Sequence, residues 1–189
     1  MGEQHGDPAR RGLTRRRFLA TTAGAALAPA FGPDLARAAA ESIHTRPIPS
    51  SGERIPAVGM GTWITFNVGA STEMRRHRKR ILEEFFARGG GMIDSSPMYG
   101  SSEQVVGWCL DRLNNTDGLV SATKVWTRGM SDGEQQMARS RELWGVKRFD
   151  VMQVHNLVDW RTHLKTLRAH KDEGKVRYIG VTTSHGSRH

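Results

Sequence analysis

Short apolar runs alternate with longer amphipathic stretches from Val58 to Thr183, and this rhythm restricts the chain to a parallel α/β architecture. The apolar runs are Val58–Trp63, Gly91–Ile93 ending in Asp94, Leu119–Trp126, Phe149–Asn156 and Val176–Thr183. Between them lie helix-length segments. Ser71–Thr72 can cap a helix to about Arg88, which Gly89–Gly91 stops. Ser101 or Ser102 opens a second, to about Leu113. Ser131–Glu134 opens a third, to about Trp144, and a fourth runs from about Trp160 to Asp172. Strands separated by helices pair in parallel through right-handed crossovers. A barrel and an open doubly wound sheet both alternate in this way. No G-x-G-x-x-G follows the first run, which disfavours a dinucleotide crevice of the open-sheet kind.

Three successive runs deliver a polar group near their C-terminal ends. The first ends in Asp94, with Tyr99 five residues on; the next carries Lys124; the third carries His155. In a parallel barrel, active sites lie at that end of the strands. The three groups also form a coherent set. A free tyrosine has a pKa of about 10, too high for ready proton exchange near neutrality. A nearby lysine ammonium is expected to favour tyrosinate and lower that value. A lysine charge in a pocket needs a carboxylate partner, and Asp94 can supply it.

Ahead of the alternation, residues 42–57 hold two short extended pieces around Ser50–Glu53, which reads as a β-hairpin. Its prolines confine it to an edge position. Gly59 and Gly61 in the first run imply close backbone approach. Further upstream, the paired arginines Arg15–Arg16 precede Phe18–Leu19, a weakly hydrophobic alanine-rich run and small-residue cleavage sites near Ala38–Ala40. This pattern is that of a signal peptide over residues 1–40, of the twin-arginine type, and predicts export to the periplasm.

Charge and cysteine usage narrow the remaining classes. The net charge is +9, and without residues 1–40, which hold six arginines and three acids, it is +6. The densest basic run, Arg75–Arg80, leads into Ile81, Leu82, Phe85 and Phe86, and reads as the solvated face of a helix. No aromatic-interleaved basic stripe accompanies it, so nucleic acid is not an expected partner. No apolar run reaches the roughly 18 residues that span a bilayer, so no stable membrane insertion is expected after signal removal. The single cysteine, Cys109, sits among apolar neighbours at helical spacing and reads as core. His185 and His189 have ligand spacing but no third ligand in range, and no metal site is expected.

The segments Gly59-Met60-Gly61-Thr62-Trp63, Asp94 to Gly100, Thr123–Lys124 and Asp150 to Asn156 stand in an order that resembles the aldo-keto reductase family, over roughly the last 140 residues. Gly180–Thr183 matches the family's next strand loosely. The resemblance implies a (β/α)₈ barrel that reduces a small-molecule aldehyde or ketone with NADPH. It implies Tyr99 as general acid, Lys124 beside it, Asp94 paired with Lys124, and His155 positioning the substrate oxygen. Trp63 would line the substrate pocket, and Thr182 and Thr183, where the family usually has Ser-Asn, would meet the nicotinamide of NADP(H). Five barrel strands fit in the sequence, whereas a closed barrel takes eight and typically about 250 residues. The expectation is therefore an incomplete barrel over residues 41–189, inactive by itself. The alternative is a non-catalytic relative that needs a partner to complete the barrel.

Overall fold

A computed structural model describes residues 43–184. The signal peptide expected over residues 1–40, and His185 and His189, lie outside them. The hairpin pairs β1 (Thr45–Pro47) with β2 (Arg54–Pro56) in antiparallel register, Arg46 opposite Ile55. Gly52 closes its turn at φ 74°, a conformation that favours glycine.

The barrel part is β3 (Met60–Gly61), α1 (Thr72–Ala87), β4 (Met92–Asp94), α2 (Ser102–Leu110), β5 (Val120–Val125), α3 (Met130–Trp144), β6 (Phe149–Val154), α4 (Trp160–Asp172) and β7 (Val176–Val181). The five strands β3 to β7 hydrogen-bond in sequence order, all in parallel. A doubly wound sheet reverses its strand order at the ligand crevice; this one does not. Right-handed crossovers between neighbours taken in order place every helix on one face, the arrangement of a barrel wall. Helices α1 to α4 accordingly pack each against the next. Leu82, Val105, Val106, Met137, Trp144, Phe149, Met152 and Leu167 form the buried layer between helices and sheet.

Several boundaries differ from the sequence reading. The first strand contracts to Met60–Gly61, because the chain turns at Trp63–Phe66. Gly59 does lie against Met92, where an added Cβ would come within 3.1 Å, whereas Gly61 faces open space. Ser71 caps α1 by accepting from the Met74 N–H. Neither Ser101 nor Ser102 caps α2 in that way. Ser101 Oγ instead donates to Asn67 Oδ1 and accepts from the Gly69 N–H, tying the helix start to the β3–α1 loop. Helix α3 begins one residue early, at Met130 behind Gly129. The basic run lies on an exposed to half-buried helix face, where the Arg75 and Arg78 guanidinium groups also donate to the carbonyls of Gly69 and Thr65. Cys109 is buried, and burial pushes its thiol up to about 11.

The hairpin is fastened to the N-terminal ends of the strands. Arg177 of β7 pairs with Glu53 of the hairpin turn and, at 2.6 Å, with Asp150 of β6. Tyr178 donates to the same Glu53 carboxylate at 2.5 Å. Polar groups at the opposite, C-terminal strand ends are left facing the space the sheet curves around. No helix among the described residues is long and apolar enough to cross a membrane.

Candidate active site

At the C-terminal strand ends, consecutive strands contribute one polar group each. Asp94 ends β4, Lys124 is the fifth residue of β5, and Gln153 is the fifth of β6. In parallel register Lys124 lies opposite Gln153, and Asp94 opposite Ala122, so strand alternation puts all three on the face away from the helices. Lys124 Nζ donates to Asp94 Oδ2 at 2.5 Å and to the Ser95 carbonyl at 2.7 Å. Gln153 Nε2 donates to the other carboxylate oxygen, Oδ1, at 3.0 Å. Gly180 of β7 makes room for Gln153, whose Cγ would lie 3.0 Å from any Cβ there.

Lys124 is 3% exposed. Burial lowers its pKa, and the Asp94 charge opposes that shift. The ammonium also lies over the Tyr99 ring, 5.0 Å from its centroid. Tyr99 is held by the turn after β4, where its N–H donates to the Ser96 carbonyl. Its ring meets His155 edge-on, 5.8 Å between centroids at 89°, and Trp63 stands 6.4 Å away on another side. Trp126 lies 6.5 Å from the His155 ring. A cavity of about 450 Å³ opens beside it, lined by Trp126, Thr127, Arg128, Asp132 and Val158.

The electrostatics correct one expectation. Lys124 was expected to lower the tyrosine pKa. The Tyr99 hydroxyl is instead shifted up, first by burial and then by the Asp94 charge. The physical reason is burial, which disfavours the charged phenolate, with the Asp94 charge adding to it. No hydrogen bond joins Lys124 to the Tyr99 hydroxyl among the described residues. His155 is pushed down to about 4, first by burial and then by the Lys124 charge, so its imidazole is neutral at physiological pH. Its Nδ1 lies 2.8 Å from Ser96 Oγ.

The four residues read as catalytic, Asp94, Tyr99, Lys124 and His155, thus stand together, with Trp63 at their edge. His155 lies just past β6, in a single 3₁₀ turn, His155–Leu157. Thr182 and Thr183 lie past the end of β7 rather than in it. Thr182 Oγ1 accepts from the Asn156 N–H at 3.3 Å, and the Thr182 N–H donates to the Val154 carbonyl at 3.0 Å. These bonds place Thr182 at the same strand ends as His155. Ser96, Gln153 and Trp126 were missed in the sequence. Gln153 was signalled as the one amide in an apolar strand, two residues before His155; Ser96 carried no such signal. A second cavity, about 530 Å³ and lined by residues including Ile43, Ile81 and Phe85, shares no residue with this cluster.

Comparison with known proteins agrees with this fold. The sequence model of the aldo/keto reductase family matches residues 57–188. Aldo-keto reductase str7 of Strobilurus tenacellus is 30% identical over 143 residues, which cover 68% of this chain and 42% of that protein. An aldo-keto reductase of Klebsiella pneumoniae, solved in complex with NADPH, superposes with a TM-score of 0.63 at 21% identity, covering 77% of this chain and 52% of that one. The Bombyx mori aldo-keto reductase AKR2E4, solved with NADP, gives 0.58 at 20% identity, covering 74% and 50%. The described sheet is thus part of an aldo-keto reductase (β/α)₈ barrel, and the chain spans about half the length of the relatives it matches. Residues 57–188 take in the whole Asp94–Tyr99–Lys124–His155 cluster, and the chain belongs to the aldo/keto reductase family.

Proposed function

We propose that this chain carries the proton-delivering part of an NADPH-dependent reductase that converts a small-molecule aldehyde or ketone to an alcohol. The observation that carries the reading is the convergence of Asp94, Lys124, Tyr99 and His155 at one end of the parallel sheet. NADPH, when bound, supplies the hydride. The residues fit its nicotinamide end: a carboxamide offers an acceptor, and the Thr182 hydroxyl, which accepts from Asn156, keeps its own proton to donate. Thr183 is the neighbouring candidate contact.

The remaining chemistry belongs to the side chains. As negative charge grows on the carbonyl oxygen, Tyr99 gives it a proton. The Tyr99 phenol is protonated near neutrality, as a donor must be, although burial makes it a weaker acid than a free tyrosine. The Lys124 ammonium, 5.0 Å from the Tyr99 ring centroid and paired with Asp94, is the positive charge set beside the phenolate left behind. Asp94 holds Lys124 charged in a buried position, and Gln153 fixes the carboxylate. Neutral His155 steadies the substrate oxygen as a hydrogen-bond donor, and Trp63 and Trp126 wall the approach.

In a protein that carries this segment within a closed barrel, Tyr99→Phe lowers kcat for aldehyde reduction by roughly 10²–10⁴-fold and leaves NADPH binding nearly unchanged. Retention of more than about a tenth of kcat rejects the role. Among the described residues β7 has no strand on its outer side. We propose that residues 41–189 alone therefore neither enclose the cofactor nor turn over substrate, because an unclosed site loses positioning, and that they are prone to aggregate, because an open sheet edge invites pairing with other chains. Size-exclusion chromatography with an NADPH oxidation assay tests this, and an active monomer overturns it. We also propose twin-arginine export on the strength of Arg15–Arg16 and Phe18–Leu19. A reporter fused after Glu41 should stay in the cytoplasm when both arginines become lysine.

A further inference from the structure

We propose that Ser96 is a positioning residue that holds His155 in the tautomer with its proton on Nε2, so that the imidazole can only donate to a substrate oxygen. The inference deepens the reductase reading above and rests on it.

Ser96 and His155 come from different strand ends, after β4 and after β6, and both are buried, at 0% and 6% exposure. Ser96 Oγ lies 2.8 Å from His155 Nδ1. A neutral imidazole has one donor nitrogen and one acceptor nitrogen, and its partners decide which is which. The Ser96 oxygen already accepts from the Met98 N–H at 3.2 Å. If Nδ1 carried the proton, Ser96 Oγ would accept twice and its own hydroxyl proton would need another acceptor. Among the described residues Ser96 Oγ has none besides His155. A hydroxyl proton stranded in a buried site is costly, enough to bias the tautomers by about tenfold. When Ser96 donates to Nδ1, both Ser96 Oγ and His155 Nδ1 are satisfied. The doubly protonated ring, which would donate from both nitrogens, is disfavoured by burial and by the Lys124 charge.

The consequence is directional. Tyr99 packs against His155, ring to ring. In the opposite tautomer, Nε2 would present a lone pair that competes with the substrate for the Tyr99 proton and repels the substrate oxygen. With Nε2 protonated, His155 cannot take that proton and does not compete with the carbonyl oxygen for it. Ser96 thus routes the proton without touching substrate.

The test is ¹⁵N NMR of the full chain with labelled histidine, using long-range proton–nitrogen correlations. The chain has eight histidines, and His155→Gln identifies the signals of interest by their loss. In the wild type, Nδ1 of His155 should resonate as a pyridine-type nitrogen and Nε2 as a pyrrole-type nitrogen. In Ser96→Ala the two should move toward each other, the tautomer ratio falling from about tenfold to within about threefold of parity. Ser96→Thr, which keeps the hydroxyl, should retain the wild-type pattern. A pyrrole-type Nδ1 in the wild type overturns the proposal, and needs no variant to fold. An unchanged pattern in folded Ser96→Ala overturns it equally. The readout needs no turnover, so a failed Tyr99→Phe test rejects the reductase reading while leaving the tautomer result standing.

Discussion

The side-chain amide of Gln136 brackets the backbone of Trp126, accepting from its N–H at 2.6 Å and donating to its carbonyl at 3.1 Å. One residue of α3 thus supplies both bonds that a neighbouring strand would give. Two residues of the α4 start extend the clamp: Asp159 Oδ2 accepts from the Gly129 N–H, and His163 Nε2 bonds the Thr127 carbonyl. The Trp126–Gly129 loop is therefore set before any substrate arrives. Gln136→Ala should speed amide exchange at Trp126 by about tenfold and leave the melting temperature within a few degrees. Unchanged exchange at Trp126 would show that the loop is held elsewhere.

Asp94 and Lys124 make an unequal pair, with side chains 31% and 4% exposed. Asp94→Asn keeps the shape and an oxygen that can accept from Lys124, but removes the charge that compensates the buried ammonium. Breaking a fully buried pair from one side costs roughly 3–5 kcal/mol; with Asp94 partly solvated, about 2–3 kcal/mol is expected here. The Lys124 pKa should fall further, since Asp94 is what opposes its burial. Urea unfolding at neutral pH measures the loss, and a midpoint equal to wild type contradicts it.

The depressed His155 pKa fixes a direction for acid stability. In the unfolded chain the imidazole takes up its proton near 6.5, whereas in the fold it resists to about 4, because of burial first and Lys124 second. Between those values the unfolded state binds more protons, so stability falls as pH falls through the window. His155→Gln removes that slope. The gap between wild type and variant should therefore shrink, or reverse, as the pH drops from 6.5 to about 4. A gap that stays constant would mean that His155 titrates normally.

Strand and helix periodicity, read with turn chemistry, was enough to locate the alternation, and α4 spans Trp160–Asp172 as expected. It also located Asp94, Tyr99, Lys124 and His155, because each follows or ends an apolar run. What the period cannot give is the offset between strands. Ser96 with His155, and Gln153 with Asp94, are separated by 59 residues in each case. Their meeting depends on the register Lys124↔Gln153 and on the turn after β4. Likewise Thr182 and Thr183 were read into a strand, since Val-Thr-Thr has β-branched character throughout. Pairing with β6 stops at Val181, opposite Val154, because β6 itself turns into the 3₁₀ segment there. The Asp-Lys-Tyr chemistry was legible as a set; the sign of the tyrosine shift was not, because it is set first by how deeply the packed strand ends bury Tyr99 and then by the Asp94 charge.

Behind the site, Gly107 lets α2 touch the backbone of α3. A Cβ at that position would come within 1.7 Å of the Leu143 carbonyl oxygen, 2.8 Å of its carbon and 3.0 Å of Trp144 Cα. All three are main-chain atoms, so no side-chain rotation can relieve the clash, and the helices must separate. One turn earlier on α2, Glu103 is 3% exposed and accepts from Thr123 Oγ1, Ser140 Oγ and Trp144 Nε1 at 2.6, 2.9 and 3.2 Å. Burial raises its pKa, and these three bonds oppose the shift. Moving α3 away would strip the Ser140 and Trp144 donors from a buried carboxylate. Alanine in a helix interior gains about 0.5–1 kcal/mol over glycine, whereas overpacking costs about 1–3 kcal/mol before any bond is lost. The clash and the stripped donors should win, and Gly107→Ala should destabilise by about 3 kcal/mol or more. Glu103→Gln, which keeps its shape and two acceptor contacts, should cost less than Gly107→Ala. Thermal unfolding of both variants decides the matter: an alanine variant as stable as wild type would show that α2 and α3 have room to part, and that Glu103 does not depend on their contact.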